Sequence, residues 1–269
     1  MLTEQRRGRL LELVRSRGFA SLPELAEELA VSESTVRRDL DHLEEAGHAR
    51  RTHGGAVYTG PLPKLPHFEE RQPAQWDKKR AIARVAASLV ENGDTVLLDG
   101  GSTTYEVAQQ LVGRPLQVVT NSLPVANLFM TRSDADLVLI GGYVYPRTGV
   151  ALGPYADQML KELNVRRTIL SVAGVNERGY FNSNLLLVET ERAMMQSADE
   201  VIVVADSSKF GRQSLAHLCE LGEVQHVVVD HEITDEWRKR LEAAGVKLWV
   251  AESSSVEPQS RRDAEGGEK

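Results

Sequence analysis

Apolar residues in the first sixty positions recur at helical spacing in three short runs. Leu10, Leu13 and Val14, with Leu11 beside them, give one buried face to a helix over 6–17, and Gly18 follows where a helix end favours a left-handed residue. Leu22, Leu25, Ala26 and Leu29 mark a second helix. Ser21, Pro23 and Glu24 open it as a capping box with proline in the first turn. Val36, Leu40 and Leu43 fall at i, i+4 and i+7 of a third helix, capped by Ser32 and closed by Gly47. Residues 48–57 follow, with Gly54 and Gly55 able to turn a hairpin. Two helices on a tight link, then a small wing, predict a helix-turn-helix over 1–58.

The pattern changes after residue 76. Ala81, Ile82, Val85, Ala86 and Leu89 are helix-spaced, and short apolar runs then alternate with helical ones. The runs are 96–98, 117–120, 137–140, 168–172, 201–204, 227–229 and 247–250, with helices near 104–111 and 125–130 between the first of them. Several runs lack polar alternation, as strands covered on both faces do. This predicts a mainly parallel α/β sheet over 77–251. Pro61, Pro63, Pro66 and Pro73 disfavour helix over 59–76, which reads as a linker. Residues 252–269 are rich in Ser, Glu, Arg and Gly and read as a disordered tail.

Composition narrows the classes. The chain has 269 residues, 41% hydrophobic and 26% charged, with a net charge of -7. No apolar run reaches membrane-spanning length, and the first residues lack a signal-peptide apolar core. The one cysteine, Cys219, sits in a helix-like run and pairs with nothing in the chain, which fits a reducing cytoplasm. No metal-ligand spacing and no cofactor motif is present, so neither metal nor cofactor is expected. The acidic balance argues against a generally basic nucleic-acid binder. Placement matters more than the sum, because Arg37, Arg38, Arg50 and Arg51 cluster late while Glu24, Glu27 and Glu28 lie on the earlier helix.

Two candidate sites emerge. The polar face of the third helix carries Ser34, Thr35, Arg37, Arg38 and His42, and the hairpin adds Arg50 and Arg51. Small hydroxyls and guanidiniums there suit base edges and phosphates of a DNA major groove. They would equally serve an ordinary solvated face. The second site follows from the sheet, since open α/β sheets bind ligands beyond the carboxyl ends of their strands. Those ends carry Asp99, Gly101, Ser102, Thr103 and Thr104, then Asn121 and Ser122, then Gly142, then Ala173 and Gly174, then Asp206 and Lys209. Glycines and hydroxyls before a helix favour an anion such as phosphate, Lys209 adds a point charge, and Asp99 suits sugar hydroxyls. An ordinary strand–helix turn and a surface lysine would explain the same residues. Gly-x-x-x-x-Gly-Lys-[Ser/Thr] and Gly-x-Gly-x-x-Gly are absent, which disfavours nucleoside triphosphates and dinucleotides.

Glu24, Leu25 and Ala26, Val31 and Ser32, Thr35 to Leu40, Leu43 and Glu44, Gly47, Arg51, and His53 to Ala56 form one continuous signature. It resembles the winged helix-turn-helix of the DeoR family of bacterial transcriptional regulators. The resemblance continues through Phe68, Glu69 and Arg71 and a following lysine, Lys78 or Lys79. It then runs through Asp99-x-Gly-x-Thr-Thr, Thr120-Asn-Ser, Gly141-Gly, Gly153, Glu189, Arg192 to Met195 and Asp206 to Gly211, ending near 235. It implies an effector domain similar to ribose-5-phosphate isomerase, a phosphosugar effector, double-stranded operator DNA as partner and a homo-oligomer, dimer or tetramer. Asn182 to Leu187 departs from the family pattern, and Arg147 and Thr148 have no assignment in it. Repression of a carbohydrate-metabolism operon, relieved by a phosphorylated sugar or polyol, is the function so implied, with no catalytic residues. The alternative from the residues alone is a sugar-phosphate isomerase with Glu189 or Asp206 as base. His217, His226 and His231 read as core or surface residues.

Overall fold

The three N-terminal runs fold as helices α1 (Thr3–Arg17), α2 (Leu22–Leu29) and α3 (Glu33–Glu45). The computed structural model describes residues 3–17, 19–52, 55–58, 68–132 and 135–252. Gly18, the turn at His53 and Gly54, residues 59–67 of the linker and residues 253–269 of the tail lie outside the described residues. Leu10, Leu13, Val14, Leu22, Leu25, Leu29, Val36, Leu40 and Leu43 meet in one core, with Leu11 and Ala26 at its edge. The capping box forms in full: Ser21 accepts from the Glu24 backbone N–H, and Glu24 accepts from that of Ser21. Ser32 caps α3 by accepting from the Thr35 N–H.

A strand that the apolar spacing does not signal, β1 (Phe19–Ser21), precedes α2. It pairs with β3 (Gly55–Tyr58), which pairs with β2 (Ala49–Thr52), giving an antiparallel sheet in the order β1-β3-β2. Gly55 is therefore more than a turn residue. A Cβ there would drive into the Ala20 carbonyl across the β1–β3 pair. The wing is thus stitched back to the start of the helix-turn-helix.

Asp39 holds α1 to α3. It is 2% exposed, and its carboxylate accepts from Arg6 Nε at 2.6 Å and Arg7 Nε at 3.0 Å. Burial alone would raise its pKa; the hydrogen bonds and charges of Arg6 and Arg7 override that and hold it below the usual carboxylate range.

After the linker come α4 (Phe68–Arg71), α5 (Trp76–Ser88), β4 (Thr95–Leu98), α6 (Ser102–Leu111), β5 (Gln117–Thr120), α7 (Leu123–Arg132) and β6 (Asp136–Leu139). The hairpin β7 (Tyr143–Tyr145) and β8 (Val150–Leu152) follows, then α8 (Pro154–Lys161), β9 (Val165–Ser171), β10 (Gly174–Asn176), β11 (Gly179–Asn182) and α9 (Leu185–Gln196). The series ends with β12 (Ala198–Val204), β13 (Ala216–Cys219), β14 (His226–Asp230), α10 (Asp235–Ala243) and β15 (Lys247–Ala251). All seven predicted runs enter one sheet in the order β15-β14-β12-β9-β4-β5-β6, and every pair in it is parallel. Alternate residues serve opposite layers. Val96, Leu98, Val118, Ile169, Ile202 and Val228 share a core with Ile82, Val107 and Phe129; Leu97, Val119, Leu170, Val203 and Val227 share one with Leu160, Met194 and Trp237. Coverage on both faces explains why the runs lack polar alternation.

Three expectations need correction. The stretch read as a helix-poor linker holds the short helix α4, anchored by Phe68 packing on Tyr105, and the first residue of α5. Cys219 lies on strand β13, not in a helix, because β13 joins β10 and β11 in a separate antiparallel sheet where Cys219 pairs with Tyr180. Burial, with Glu223 nearby, pushes its thiol pKa up to about 12, so it is an inert core thiol. Helix α6 begins at Ser102, two residues before the predicted start, since Gly101 takes the N-cap position.

The Asp39 clamp gives a test. Its stabilisation is present above the unfolded carboxylate pKa and is lost as pH falls through the lower folded value. Asp39→Asn should cost the N-terminal helices about 2 kcal/mol at pH 7. In thermal melts the gap between wild type and variant should close as pH drops below roughly 4; a gap unchanged at pH 3 would contradict the clamp.

Candidate functional site

Helix α3 presents the predicted polar face. Ser34, Arg37, Arg38 and His42 are exposed and Thr35 is half-buried. The capping cluster fixes the hydroxyls, with Ser32 Oγ 2.9 Å from Ser34 Oγ and 3.0 Å from Thr35 Oγ1. Arg37 pairs with Glu33 at 3.0 Å one turn earlier. Arg51, exposed on β2 with Arg50, pairs with Asp41 and donates its backbone N–H to Glu44. These are exposed pairs of small net worth, which a phosphate could exchange at little cost. Arg38 has no ion-pair or hydrogen-bond partner among the described residues.

The second site lies where the sheet changes direction. From β4 the chain adds β5 and β6 on one side, then crosses to add β9, β12, β14 and β15 on the other. The crevice at such a switch point is where α/β sheets take ligands. A cavity of about 320 Å³ lies there, lined by Ser102 and Thr103 after β4, Ser171, Val172 and Ala173 at the end of β9, and Asp206, Ser208 and Lys209 after β12. Asn182 of β11 forms another part of the wall, and Glu70, Arg71, Ala74, Gln75 and Lys79 close it from the connecting segment. Gly101 is required for close approach, because a Cβ there would occupy the place of the Ser171 side chain.

Cations and carboxyls are interspersed in and around this cavity, with Arg71 under the charges of Asp99 and Glu69 and Lys79 under that of Asp206. Lys79 is 4% exposed, and burial lowers its pKa to about 8, with Asp206 opposing. Burial likewise lowers the pKa of Arg71, against the charges of Asp99 and Glu69. Asp99 and Glu191 lie deeper, both essentially inaccessible. Burial raises the Asp99 pKa, opposed by the backbone N–H groups of Gly100 and Ser171. Burial first and the Asp99 charge second raise that of Glu191 well above normal, despite a 2.6 Å hydrogen bond from Asn182 Nδ2. Arg71 Nε and Nη2, Asp99 Oδ1 and Glu191 Oε2 are buried with no hydrogen-bond partner among the described residues. Unmet polar atoms of this kind are costly.

The predicted rim residues divide. Ser102, Thr103, Asp206 and Lys209 line the cavity, and Gly101 and Asp99 support its wall. Thr104 is wholly buried and is not in the lining. Asn121 and Ser122 are also wholly buried: Asn121 Nδ2 donates to the Ala151 carbonyl at 3.0 Å, and Ser122 Oγ accepts from the Val125 N–H. They fasten the β7–β8 hairpin and start α7. Gly142 is exposed beyond β6. The five loops do share a rim, but with strands about 4.8 Å apart the cavity reaches only those around the switch point. Glu189 is exposed and outside the lining, while Asp206 binds the Ser208 N–H and hydroxyl. His217, His226 and His231 are not lining residues either.

The model of the DeoR-like helix-turn-helix domain matches residues 6–61, and that of the DeoR C terminal sensor domain matches residues 74–231. The chain belongs to the DeoR family of transcriptional regulators. Among its relatives, the transcriptional repressor AccR of Agrobacterium fabrum is 37% identical over 85% of this chain and 90% of its own. The glycerol-3-phosphate regulon repressor of Escherichia coli K12 is 33% identical over 86% and 92%. The uncharacterized regulator YulB of Bacillus subtilis is 32% identical over 92% and 96%. The expected likeness to ribose 5-phosphate isomerase is present in the enzyme from Methanocaldococcus jannaschii. It is 21% identical over 49% of this chain and 53% of its own, with a TM-score of 0.36, too loose to bear on function.

Sequence reasoning on this DeoR-family chain passed over Arg71, Lys79, Ser171, Asn182 and Glu191. Arg71 and the following lysine stand in the family resemblance, but proline content places Arg71 in a linker, and the lysine falls just inside the sensor domain with no role assigned. Asn182 was visible only as a departure from the family pattern. Ser171 was hidden because the fourth strand ends earlier than the apolar run.

The cations in this wall predict an anionic ligand with a pH signature. Sulfate, fully ionised throughout, should raise the melting temperature at pH 7. The increment should shrink between pH 7 and 9.5 as Lys79 loses its proton near 8, and in Lys79→Gln it should be smaller and flat over that window. An increment in wild type that does not change with pH would contradict this role.

Proposed function

We propose that this DeoR-family regulator is a repressor of a carbohydrate-metabolism operon, released from DNA by a phosphorylated sugar or polyol. The observation that carries the reading is the cavity at the β4–β9 switch point. Arg71, Lys79 and Lys209 line it together with Ser102 and Thr103 of the first turn of α6, and Glu70 and Asp206 add carboxyls to the same lining. A ligand that carries both a phosphate and hydroxyl groups suits such a mixed lining.

The exposed face of α3 reads the major groove through Ser34, Thr35, Arg37, Arg38 and His42, with Arg50 and Arg51 of the wing on phosphates. A dimer or tetramer on paired half-sites supplies the affinity that one such helix lacks. A hundredfold loss of operator affinity on ligand binding corresponds to about 3 kcal/mol of coupling, which a few differential contacts supply. Support for repression comes from the names of two relatives, the glycerol-3-phosphate regulon repressor and AccR. The candidate bases for an isomerase do not assemble, since Asp206 lines the cavity while Glu189 is exposed and outside its lining, so the ligand is sensed and not turned over.

The two sites should separate by mutation. Arg38→Ala should abolish binding to DNA from upstream of its own gene while leaving the melting shift caused by a sugar phosphate intact. Thr103→Glu, which sets a carboxylate in the first turn of α6, should abolish that shift and keep DNA binding. Retained DNA affinity in Arg38→Ala, or a shift surviving in Thr103→Glu, would contradict the assignment of the corresponding site.

A further inference from the structure

The seven-stranded sheet ends on two unlike edges. The β15 edge is finished. Lys247 stands over the Trp249 ring at 4.4 Å, the Trp249 indole N–H donates to His226 Nδ1, and Leu248, Trp249 and Val250 are half-buried. The β6 edge is open. Among the described residues, β6 has β5 as its one neighbour in the sheet. The Asp136 N–H donates to the Leu116 carbonyl and the Ile140 N–H to that of Thr120, so the even-numbered residues face β5. Leu137 and Leu139 therefore turn their N–H and C=O groups to the open edge. The side chains there are apolar and uncovered. Val138 is 36% exposed on one face of the sheet and Leu139 40% on the other. Tyr143 and Val144, exposed as well, follow three residues after β6 ends, and α7, packed beside β6, adds Met130. Strands of a covered parallel sheet are ordinarily buried on both faces. An apolar edge that no lysine, proline or covering element blunts invites pairing with another chain; the one charge on β6 is Asp136, at its start.

We propose that β6 is the surface on which two copies of this chain meet, edge to edge about a two-fold axis through Val138. The strand is self-complementary. Laid antiparallel against a second β6 with Val138 opposite Val138, Leu137 and Leu139 of each copy exchange N–H···O=C bonds with Leu139 and Leu137 of the other. That register satisfies every outward backbone group of β6 and joins the two sheets into one. Asp136 then lies opposite Ile140 of the other copy, so no like charges meet. The exposed parts of Met130, Val138, Leu139, Tyr143 and Val144 come to roughly 400 Å², about half of the roughly 800 Å² that each partner buries in a stable interface. The strand backbone and the polar residues around it supply the rest, as an apolar centre with a polar rim. The inference rests on the reading above that paired copies engage paired half-sites, and adds where the copies meet.

Sedimentation velocity on the full chain tests this. Wild type should sediment as an oligomer. Val138→Lys, which sets two ammonium groups against each other on the axis, should halve its mass. Leu215→Lys, at an exposed leucine just before β13 in a different sheet, should leave the mass unchanged. Val138 does not line the cavity, so a retained sulfate melting shift shows that the lysine variant is folded. Val138→Cys gives a positive signal. Residues opposite each other in a non-hydrogen-bonded antiparallel pair lie about 4.5 Å apart at Cα, within disulfide reach. Mild oxidation should therefore link two copies covalently, with the buried Cys219 a bystander. If the lysine variant fails to fold, the cysteine variant decides alone. An unchanged mass in folded Val138→Lys, or an oligomer of Val138→Cys that yields no covalent dimer, would overturn this interface and leave the paired half-sites standing. A wild type that sediments as a monomer would overturn the paired half-sites, and this inference with them.

Discussion

The sensor half depends on one topological constraint. Seven strands run parallel, so all their carboxyl ends share a rim, and the chain reverses its direction of growth between β4 and β9. At that reversal the loops after the two strands part to opposite faces and leave a crevice. Asp99 directly follows the first strand and Ser171 ends the second, joined by a 3.5 Å contact between the Ser171 hydroxyl and the Asp99 carboxylate. Gly101 allows the approach, and the α6 N-terminus follows directly. What could otherwise be a strand–helix turn thereby gains a charged wall and a hydroxyl-lined floor.

Burial turns those groups into a poised site. A lysine with a pKa near 8, a guanidinium with unmet donors and two carboxyls raised by burial all carry desolvation costs that the sheet and helices must offset. The N-terminal half solves the opposite problem. Asp39 is as buried as Asp99, yet two arginines of α1 satisfy it and its pKa falls. One buried aspartate fastens helices together; the other, with an oxygen left unpaired, lies behind the wall of the cavity.

Much of the fold was legible because its signals are local. Helical spacing located α1, α2 and α3, the Ser21–Glu24 capping box marked the start of α2, and seven apolar runs located seven parallel strands. Elements that depend on distant partners were not legible. β1 exists because β3 lies beside it, and Cys219 is taken out of a helix because its strand joins the β10–β11 hairpin from a distant part of the chain. The cavity was half legible. Rim residues such as Ser102, Thr103, Asp206 and Lys209 announce themselves at strand ends, but which loops meet depends on strand order. That order is what sends Asn121, Ser122 and Gly142 elsewhere. Arg71 comes from a stretch whose prolines signal only that it is not a long helix, and Lys79 from the first turn of the helix after it; nothing local tells that this stretch folds back over the sheet.

A helix that reads DNA and a cavity that reads an anion make a switch only if each site senses the other. Calorimetric titration of one active sugar phosphate into the free protein, and into the protein saturated with its promoter DNA, tests that directly. The account predicts that the DNA-bound protein takes the sugar phosphate more weakly, by the same factor by which the sugar phosphate lowers DNA affinity. Equal affinities in the two titrations would contradict it.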